Sequence, residues 1–344
     1  MKLNFVNDYS SGAHERILKT LVSTNFIDSS GYGEDDFSNE ARILTKKKFA
    51  CKNADVYFIP GGTQTNLIAI SHTLKPYEAV IACSTGHIAV HETGAIEATG
   101  HKVIEVKGKN YKITPEEILF ECQKHSDHHM VKPKMVYISN STEMGTVYTR
   151  EELIKISEVC QKNRLFLYLD GARMASALTS EKSDITAEDY AKYCDMFYIG
   201  GTKCGLLLGE ALIINNEKLK KEIKFSIKQK GALLAKGKLL GIQFLELFKG
   251  NFYEEIGKYS NEMAKKISSA FVKKGFELLV DGGTNQVFVK MNDEQIEKLS
   301  EYAEFSTFPP ENINDSFKIV RFVTAWSTQE KDVEKFAEII NKIY

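Results

Sequence analysis

The chain has 344 residues, 43% of them hydrophobic and 26% charged, a length that suits two packed domains better than one small core. Its 45 basic and 46 acidic side chains leave a formal charge of −1, which provides no long-range field for gripping nucleic acid or an anionic membrane. No run of 18 or more apolar residues marks a membrane span.

In chain order, Met1–Asp8 lacks the basic and apolar regions of a secretion signal. Val56–Ile59 reads as a strand, Pro60–Asn66 as a glycine-containing turn, and Leu67–His72 as helical. Val80–Cys83, Val103–Val106 and Met135–Ser139 are further short strands. Arg150–Lys162 places Leu153, Ile156 and Val159 on one helix face. Leu165–Leu169 is a buried strand ending on Asp170, and Met196–Ile199 and Ala211–Asn215 close the series. Such alternation predicts an α/β fold with a mostly parallel central sheet covered by helices. Ligands of such sheets sit at the carboxyl ends of the strands.

The last hundred residues read differently. A long amphipathic helix over Asn251–Lys274, strands at Gln286–Lys290 and Phe317–Phe322, and a closing helix from Thr328 make a smaller C-terminal α+β domain. The boundary falls within Lys236–Lys249, giving a large domain over 1–245, N-terminal segment included, and a small one over 246–344. The six cysteines are scattered without a C-x-x-C pair and read as reduced thiols, which places the protein in the cytoplasm.

Three strand ends carry chemistry. Gly61-Gly62-Thr63, between a strand and a helix, is either a plain tight turn or an anion site, where free amides and the helix dipole meet a phosphate. It fits neither G-x-x-x-x-G-K-S/T nor G-x-G-x-x-G, which argues against ATP and NAD. Asp170 ends the most apolar strand, and a buried carboxylate needs a partner. That partner is either Arg173, in a structural pair, or a protonated ring nitrogen. Lys203, in Tyr198–Gly205, is either a surface lysine in a glycine turn or a desolvated amine able to form an imine. The order phosphate turn, aspartate, lysine is the one pyridoxal 5'-phosphate (PLP) needs.

With Gly31–Asp35, Gly61–Asn66, Gly86–Ala95, Leu169–Arg173 and Gly200–Lys203, the chain resembles the low-specificity L-threonine aldolases, grouped with the β-eliminating lyases. The resemblance runs over roughly residues 4 to 245. It implies an aspartate-aminotransferase-type fold (fold type I) and a PLP enzyme that cleaves L-threonine, L-allo-threonine or a related β-hydroxy-α-amino acid to glycine and an aldehyde. Carried over, it makes Lys203 the Schiff-base lysine and Asp170 the partner of the pyridine nitrogen. Arg173 lies beside the cofactor's phenolic oxygen, Gly62 and Thr63 at its phosphate, and His87 on its ring, where an imidazole can also act as acid or base. Asn7, Tyr32 and Arg321 are the implied substrate-binding residues, Arg321 as the carboxylate clamp. Lys236 stands in the family's arginine-containing stretch and implies a phosphate contact across the interface of a homodimer or homotetramer.

Two further departures bear on the chemistry. The family's Glu-Asn-Thr-His segment reads Ile138–Gly145 here and holds no histidine, which leaves Glu143 or His87 to act on the substrate hydroxyl. Asn7 replaces the usual serine. Other readings of the same cofactor site are β-elimination, transamination and a binding protein without catalysis. No metal is expected: His125, His128 and His129 read as a solvated loop, Cys204 as a small buried residue, and Trp326 as small-domain core. His91, one helical turn after His87, either faces the site or packs its helix.

Overall fold

The computed structural model describes residues 2–310 and 315–344 and begins with a two-residue strand, β1 (Leu3–Asn4). The apolar runs that follow form β2 (Asp55–Ile59), β3 (Glu78–Cys83), β4 (Val103–Val106), β5 (Lys132–Ser139), β6 (Phe166–Asp170), β7 (Met196–Gly200) and β8 (Glu210–Ile214). They pair into one seven-stranded sheet in the order β2-β8-β7-β6-β5-β3-β4. Every expected strand of this series is present. The pairings β3–β4, β3–β5, β5–β6 and β6–β7 are parallel, whereas β8 runs antiparallel to both β7 and β2. Parallel neighbours need a crossover; β7 and β8 are joined only by the short Gly201–Gly209 segment, which returns the chain as a hairpin.

Both faces of the sheet are buried, each in its own core. Val136, Ile138, Leu167, Leu169, Phe197 and Ile199 enter one core. The residues between them, Tyr137, Tyr168, Met196 and Tyr198, enter the other with Ile68 and Ala69 of the helix Gly62–Thr73. This alternation follows from the period of two along a strand. The helix Arg150–Lys162 buries Leu153 and Ile156 as its periodicity predicts, and Thr149 and Glu152 close its N-terminus as a reciprocal capping box.

The C-terminal part contains the long helix Phe252–Lys273, β9 (Gln286–Met291), β10 (Ala303–Glu304), β11 (Ser306–Phe308), β12 (Lys318–Val323) and the helix Glu330–Ile343. Strands β11, β12 and β9 form an antiparallel sheet in that order. The N-terminal segment, assigned from sequence to the large domain, joins this part instead. Strand β1 pairs in parallel with β10, and Leu3 and Phe5 lie in one core with Phe271, Phe322 and Phe336. Trp326 also departs from expectation: it packs against the large-domain core, its ring 5.3 Å from that of His14. Of the histidine-rich loop, His128 and His129 are exposed, but His125 is buried, its Nδ1 3.0 Å from the Glu121 carbonyl at a helix end.

Two glycines bring the ends of β6 and β7 together. A Cβ on Gly171 would lie 2.0 Å from the Tyr198 carbonyl oxygen, and one on Gly200 would lie 2.2 Å from that of Ala172. The Gly200 amide donates to the Gly171 carbonyl at 2.9 Å across this contact. Gly200→Ala therefore must push the backbone apart, and a loss of about 1–3 kcal/mol is expected. Urea unfolding of the cofactor-free protein measures it; an unchanged midpoint would show that the strand ends adapt.

Among the described residues no helix is long and apolar enough to cross a membrane. All six cysteines are free.

Candidate active site

The carboxyl ends of β5, β6 and β7 and the start of the helix Gly62–Thr73 converge on one crevice. Asp170 is 3% exposed. Its Oδ2 accepts from the Tyr137 hydroxyl at 2.6 Å and from Asn66 Nδ2 at 3.2 Å, and its Oδ1 accepts from the Ala172 amide at 2.9 Å. Three donors hold this carboxylate, and among the described residues no cation is bonded to it. The sequence left a structural Asp170–Arg173 pair open; the structure pairs Arg173 with Asp8 instead. Arg173 Nε and Nη2 donate to the two Asp8 oxygens at 2.7 and 3.1 Å, and Asn285 Nδ2 adds a bond at 2.9 Å. Burial alone would raise the Asp8 carboxyl, but Arg173 and Lys203 outweigh it and hold the group below its ordinary range. Burial works against the Arg173 guanidinium too, yet Asp8 keeps it firmly charged.

Lys203 shares a crevice with Asp8, Arg173, Asn285 and Ser260. Enclosure and then the Arg173 charge push its amine below the ordinary lysine value, with Asp8, Asp170 and Glu210 opposing. A lysine whose charged form is disfavoured is available as a nucleophile. Glu210 shapes the turn that carries it: Glu210 accepts from the Gly201 amide at 3.0 Å and from Thr202 Oγ1 at 2.8 Å. Burial pushes the Glu210 carboxyl up to about 8. Cys204 is buried, and burial raises its thiol far above the ordinary range, so it is no nucleophile.

On the other side, His87 Nδ1 lies 2.8 Å from Glu92 Oε1, which also accepts from Asn66 Nδ2 at 2.7 Å. Asn66 thus bridges the His87–Glu92 pair to Asp170. The His91 ring lies 5.5 Å from that of His87. Burial first, then the charges of His87, Arg321, Lys203 and Arg173, lower the His91 imidazole.

Gly61 caps the helix Gly62–Thr73 without a side-chain bond, and the first intrahelical bond runs from the Thr65 amide to the Gly61 carbonyl at 3.0 Å. The amides of Gly62, Thr63 and Gln64 precede it and are left for a ligand. Arg321 on β12 is partly buried, its Nη2 3.4 Å from Ser306 Oγ, and its buried Nε bonds nothing among the described residues. An orphaned guanidinium donor is a strong pointer to an anionic ligand. Asn7 commits its Oδ1 to a local turn, accepting from the Tyr9 amide and Ser10 Oγ, both at 2.9 Å.

Two residues singled out from sequence stand apart from this crevice. Tyr32 is 48% exposed beside Lys228, whose Nζ is 4.9 Å from its ring, and its amide donates to the Ala235 carbonyl at 3.1 Å. The exposed Lys236 is next to it in chain. Among the described residues, neither bonds to the Lys203 crevice.

Sequence reasoning missed Asp8 as the partner of Arg173, and also Asn66, Glu92, Glu210 and three tyrosines. Tyr137 and Tyr168 are register partners on β5 and β6. The Tyr168 hydroxyl donates to Asn66 Oδ1 at 2.8 Å, and a Cβ on Gly62 would lie 3.3 Å from the Tyr198 hydroxyl. The signal was present. Val136-Tyr137-Ile138-Ser139, Leu167-Tyr168-Leu169-Asp170 and Phe197-Tyr198-Ile199-Gly200 repeat one pattern, a tyrosine two residues before each polar or glycine strand end.

This donor set fits PLP. Uncapped amides suit its phosphate, a carboxylate without a cation suits its ring nitrogen, and a lysine with a lowered pKa suits its aldehyde.

Comparison with known proteins agrees. The profile of the family described as beta-eliminating lyase matches residues 5–294. The low-specificity L-threonine aldolase of Pseudomonas sp. (strain NCIMB 10558) is 29% identical over 343 residues, 98% of this chain and 97% of that protein. The solved threonine aldolase of Leishmania major is 45% identical, with a TM-score of 0.97 and 99% of each chain covered. Thermus thermophilus aspartate aminotransferase shares the fold at 14% identity, with a TM-score of 0.72 over all of this chain and 92% of its own.

Proposed function

Because this chain belongs to the beta-eliminating lyase family, a family of PLP enzymes, we propose that it is an aldolase for L-threonine, L-allo-threonine or a related β-hydroxy-α-amino acid. The observation that carries the reading is the pair of adjacent strand ends, where a Lys203 amine of lowered pKa lies near an Asp170 carboxylate that no cation among the described residues bonds. In the reaction the Cα–Cβ bond breaks, the β-hydroxyl loses its proton as its carbon becomes the aldehyde, and Cα gains a proton to give glycine. When bound, PLP supplies the sink for the electron pair left at Cα.

The chain's residues do the rest. Lys203 would anchor the cofactor through its amine. Gly62 and Thr63 would hold the phosphate at the helix N-terminus, Asp170 would hold the ring nitrogen, and His87, fixed by Glu92, would lie against the ring. Burial first, and then the charge of Arg173, which Asp8 locks in place, keep the Lys203 amine's pKa low. Arg321, with a guanidinium Nε that bonds nothing among the described residues, would clamp the substrate carboxylate, with Asn7 as a second substrate-binding residue. Positioning then decides which bond of the substrate breaks.

Arg321→Ala removes that clamp. The expected result is a rise in KM for L-threonine of about 30-fold or more, since leaving one partner of a charge pair unmet costs at least ~2 kcal/mol. Steady-state kinetics measure it; an unchanged KM would remove Arg321 from the substrate site.

The site also calls for a second copy of the chain. Tyr32 and Lys236 face outward together, and Phe26, at 94% exposure, and Phe225, at 76%, leave apolar surface uncovered. In a homodimer or homotetramer Tyr32 would reach the partner's substrate and Lys236 the partner's phosphate. Six free thiols suit a reducing compartment, and we place the protein in the cytoplasm.

The test is purified protein with PLP and L-threonine, followed for glycine and acetaldehyde. Aldehyde from threonine, allo-threonine or phenylserine supports the reading. None from all three would sink it, and 2-oxoacid with ammonia instead would make the enzyme a β-eliminating lyase in its chemistry as well as its family.

A further inference from the structure

Aldol cleavage needs a group to take the proton of the β-hydroxyl, and the segment Ile138–Gly145 at the end of β5 holds no histidine. It holds Glu143, just beyond the end of β5. Glu143 Oε1 is fixed by two donors, the His87 amide at 2.9 Å and Ser139 Oγ at 2.7 Å. Its Oε2 is bonded to no other side chain among the described residues, and the residue is only partly buried. Unlike Asp8, which is locked to Arg173, Glu143 forms no ion pair among the described residues.

We infer that Glu143 is the acid–base group of the reaction, taking the β-hydroxyl proton in cleavage through Oε2, and that Ser139 is its positioning residue. This rests on the aldol reading above. The step balances within the site: the β O–H bond breaks and its proton goes to the Glu143 carboxylate. The oxygen's electron pair forms the carbonyl as the Cα–Cβ bond breaks, and the pair from that bond stays with Cα. Glu143 then returns its proton to water, and Cα takes one.

The surroundings suit the role. The groups facing Glu143 are Asp170 at the end of β6, Arg173 just after it, Tyr137 on β5, Tyr148, and His87 at the start of the helix His87–Val90. Burial, then the Asp170 charge, push the carboxyl above its ordinary range, while Ser139 and backbone amides hold it back. A carboxylate closer to neutral pH is a better base than a free one.

The single Ser139 hydroxyl proton also has two places to go. With Glu143 ionised it donates to Oε1. With Glu143 protonated it can turn to the Tyr137 hydroxyl, 3.3 Å away, which itself donates to Asp170. The protonation of Glu143 is thereby connected to the carboxylate beneath the cofactor.

Three readouts on the PLP-loaded enzyme decide the matter: threonine cleavage, exchange of glycine's α-proton with D2O followed by NMR, and the cofactor's visible absorbance as a check of loading. Glycine exchange needs cofactor, Lys203 and Asp170 but involves no β-hydroxyl. In Glu143→Gln, cleavage should fall about 10²–10⁴-fold while exchange and absorbance are kept. In Ser139→Ala the acid limb of the cleavage profile should move to higher pH, because Glu143 loses a donor to its charged form.

Cleavage by Glu143→Gln at the wild-type rate would overturn the inference, and so would an equal loss of cleavage and exchange. Should the glutamine variant fail to load cofactor, Glu143→Asp carries the same comparison, with cleavage again expected to fall further than exchange. A wild type that exchanges glycine but cleaves no β-hydroxy amino acid would defeat the aldol reading, and this assignment with it.

Discussion

Lys203→Ala is expected to abolish threonine cleavage, by at least ~10³-fold in kcat/KM, with no absorbance band from bound cofactor. The effect is large because no neighbour can replace the amine. Cys204, the adjacent residue, is buried with its thiol proton held firmly. The variant should still fold. Lys203 forms none of the hydrogen bonds that define its turn; those run between Gly201, Thr202, Gly209 and Glu210. The fold also opposes its charge, so removing the amine removes a pH-dependent liability. A base with a depressed folded pKa contributes full stability only above its unfolded value of 10.5 and loses it as pH falls toward the folded value. At neutral pH the cofactor-free variant should therefore melt close to the cofactor-free wild type. Cofactor absorbance with turnover in Lys203→Ala would refute the assignment; a collapsed melting transition would make Lys203 structural.

Asp170→Asn carries the second largest effect. The substitution keeps the shape and removes the charge that would hold a protonated ring nitrogen. It also breaks the local pattern of bonds. The two Asp170 oxygens accept from Tyr137, Asn66 and the Ala172 amide, so an amide nitrogen at either position must face a donor. The expected loss is about 10²–10³-fold in kcat, the size seen when one preorganised electrostatic contact is removed. About 1–3 kcal/mol of stability should go with it, from the unmatched buried donor. Comparing kcat with the unfolding midpoint separates the two. A variant that loses stability but keeps kcat would make Asp170 a structural residue.

Asp170, Lys203 and the Gly62–Thr63 turn were legible because each follows a short apolar run, and a strand end on a parallel sheet is where chemistry collects. The alternative pairing of Asp170 with Arg173 was reasonable from their spacing and wrong. Arg173 reaches Asp8, 165 positions away, because the N-terminal segment crosses from the small-domain core into the crevice. The N-terminal segment could not be assigned from sequence either, since a two-residue strand carries no periodicity. Tyr137, Tyr168 and Tyr198 were overlooked for the opposite reason. A tyrosine inside an aliphatic strand reads as core, and only the hydroxyl partners on neighbouring elements reveal its second use.

The sequence by itself determined the strand–helix alternation, the strand ends that face the crevice and the order of glycine turn, aspartate and lysine. These follow from side-chain period and chain order, which are local properties. Only the tertiary structure decided the rest. It showed that β8 runs against its neighbours, that Arg173 is held by Asp8, and that Asn66 joins His87 and Glu92 to Asp170. It also showed that the Glu143 carboxylate is held by the His87 amide and the Ser139 hydroxyl. Those facts are contacts between residues far apart in the chain, and their physical origin is the packing of one element on another. Lys203 is the residue where both levels meet. Its place after β7 is written in the sequence, while the burial and the neighbouring Arg173 that lower its pKa are set by the fold.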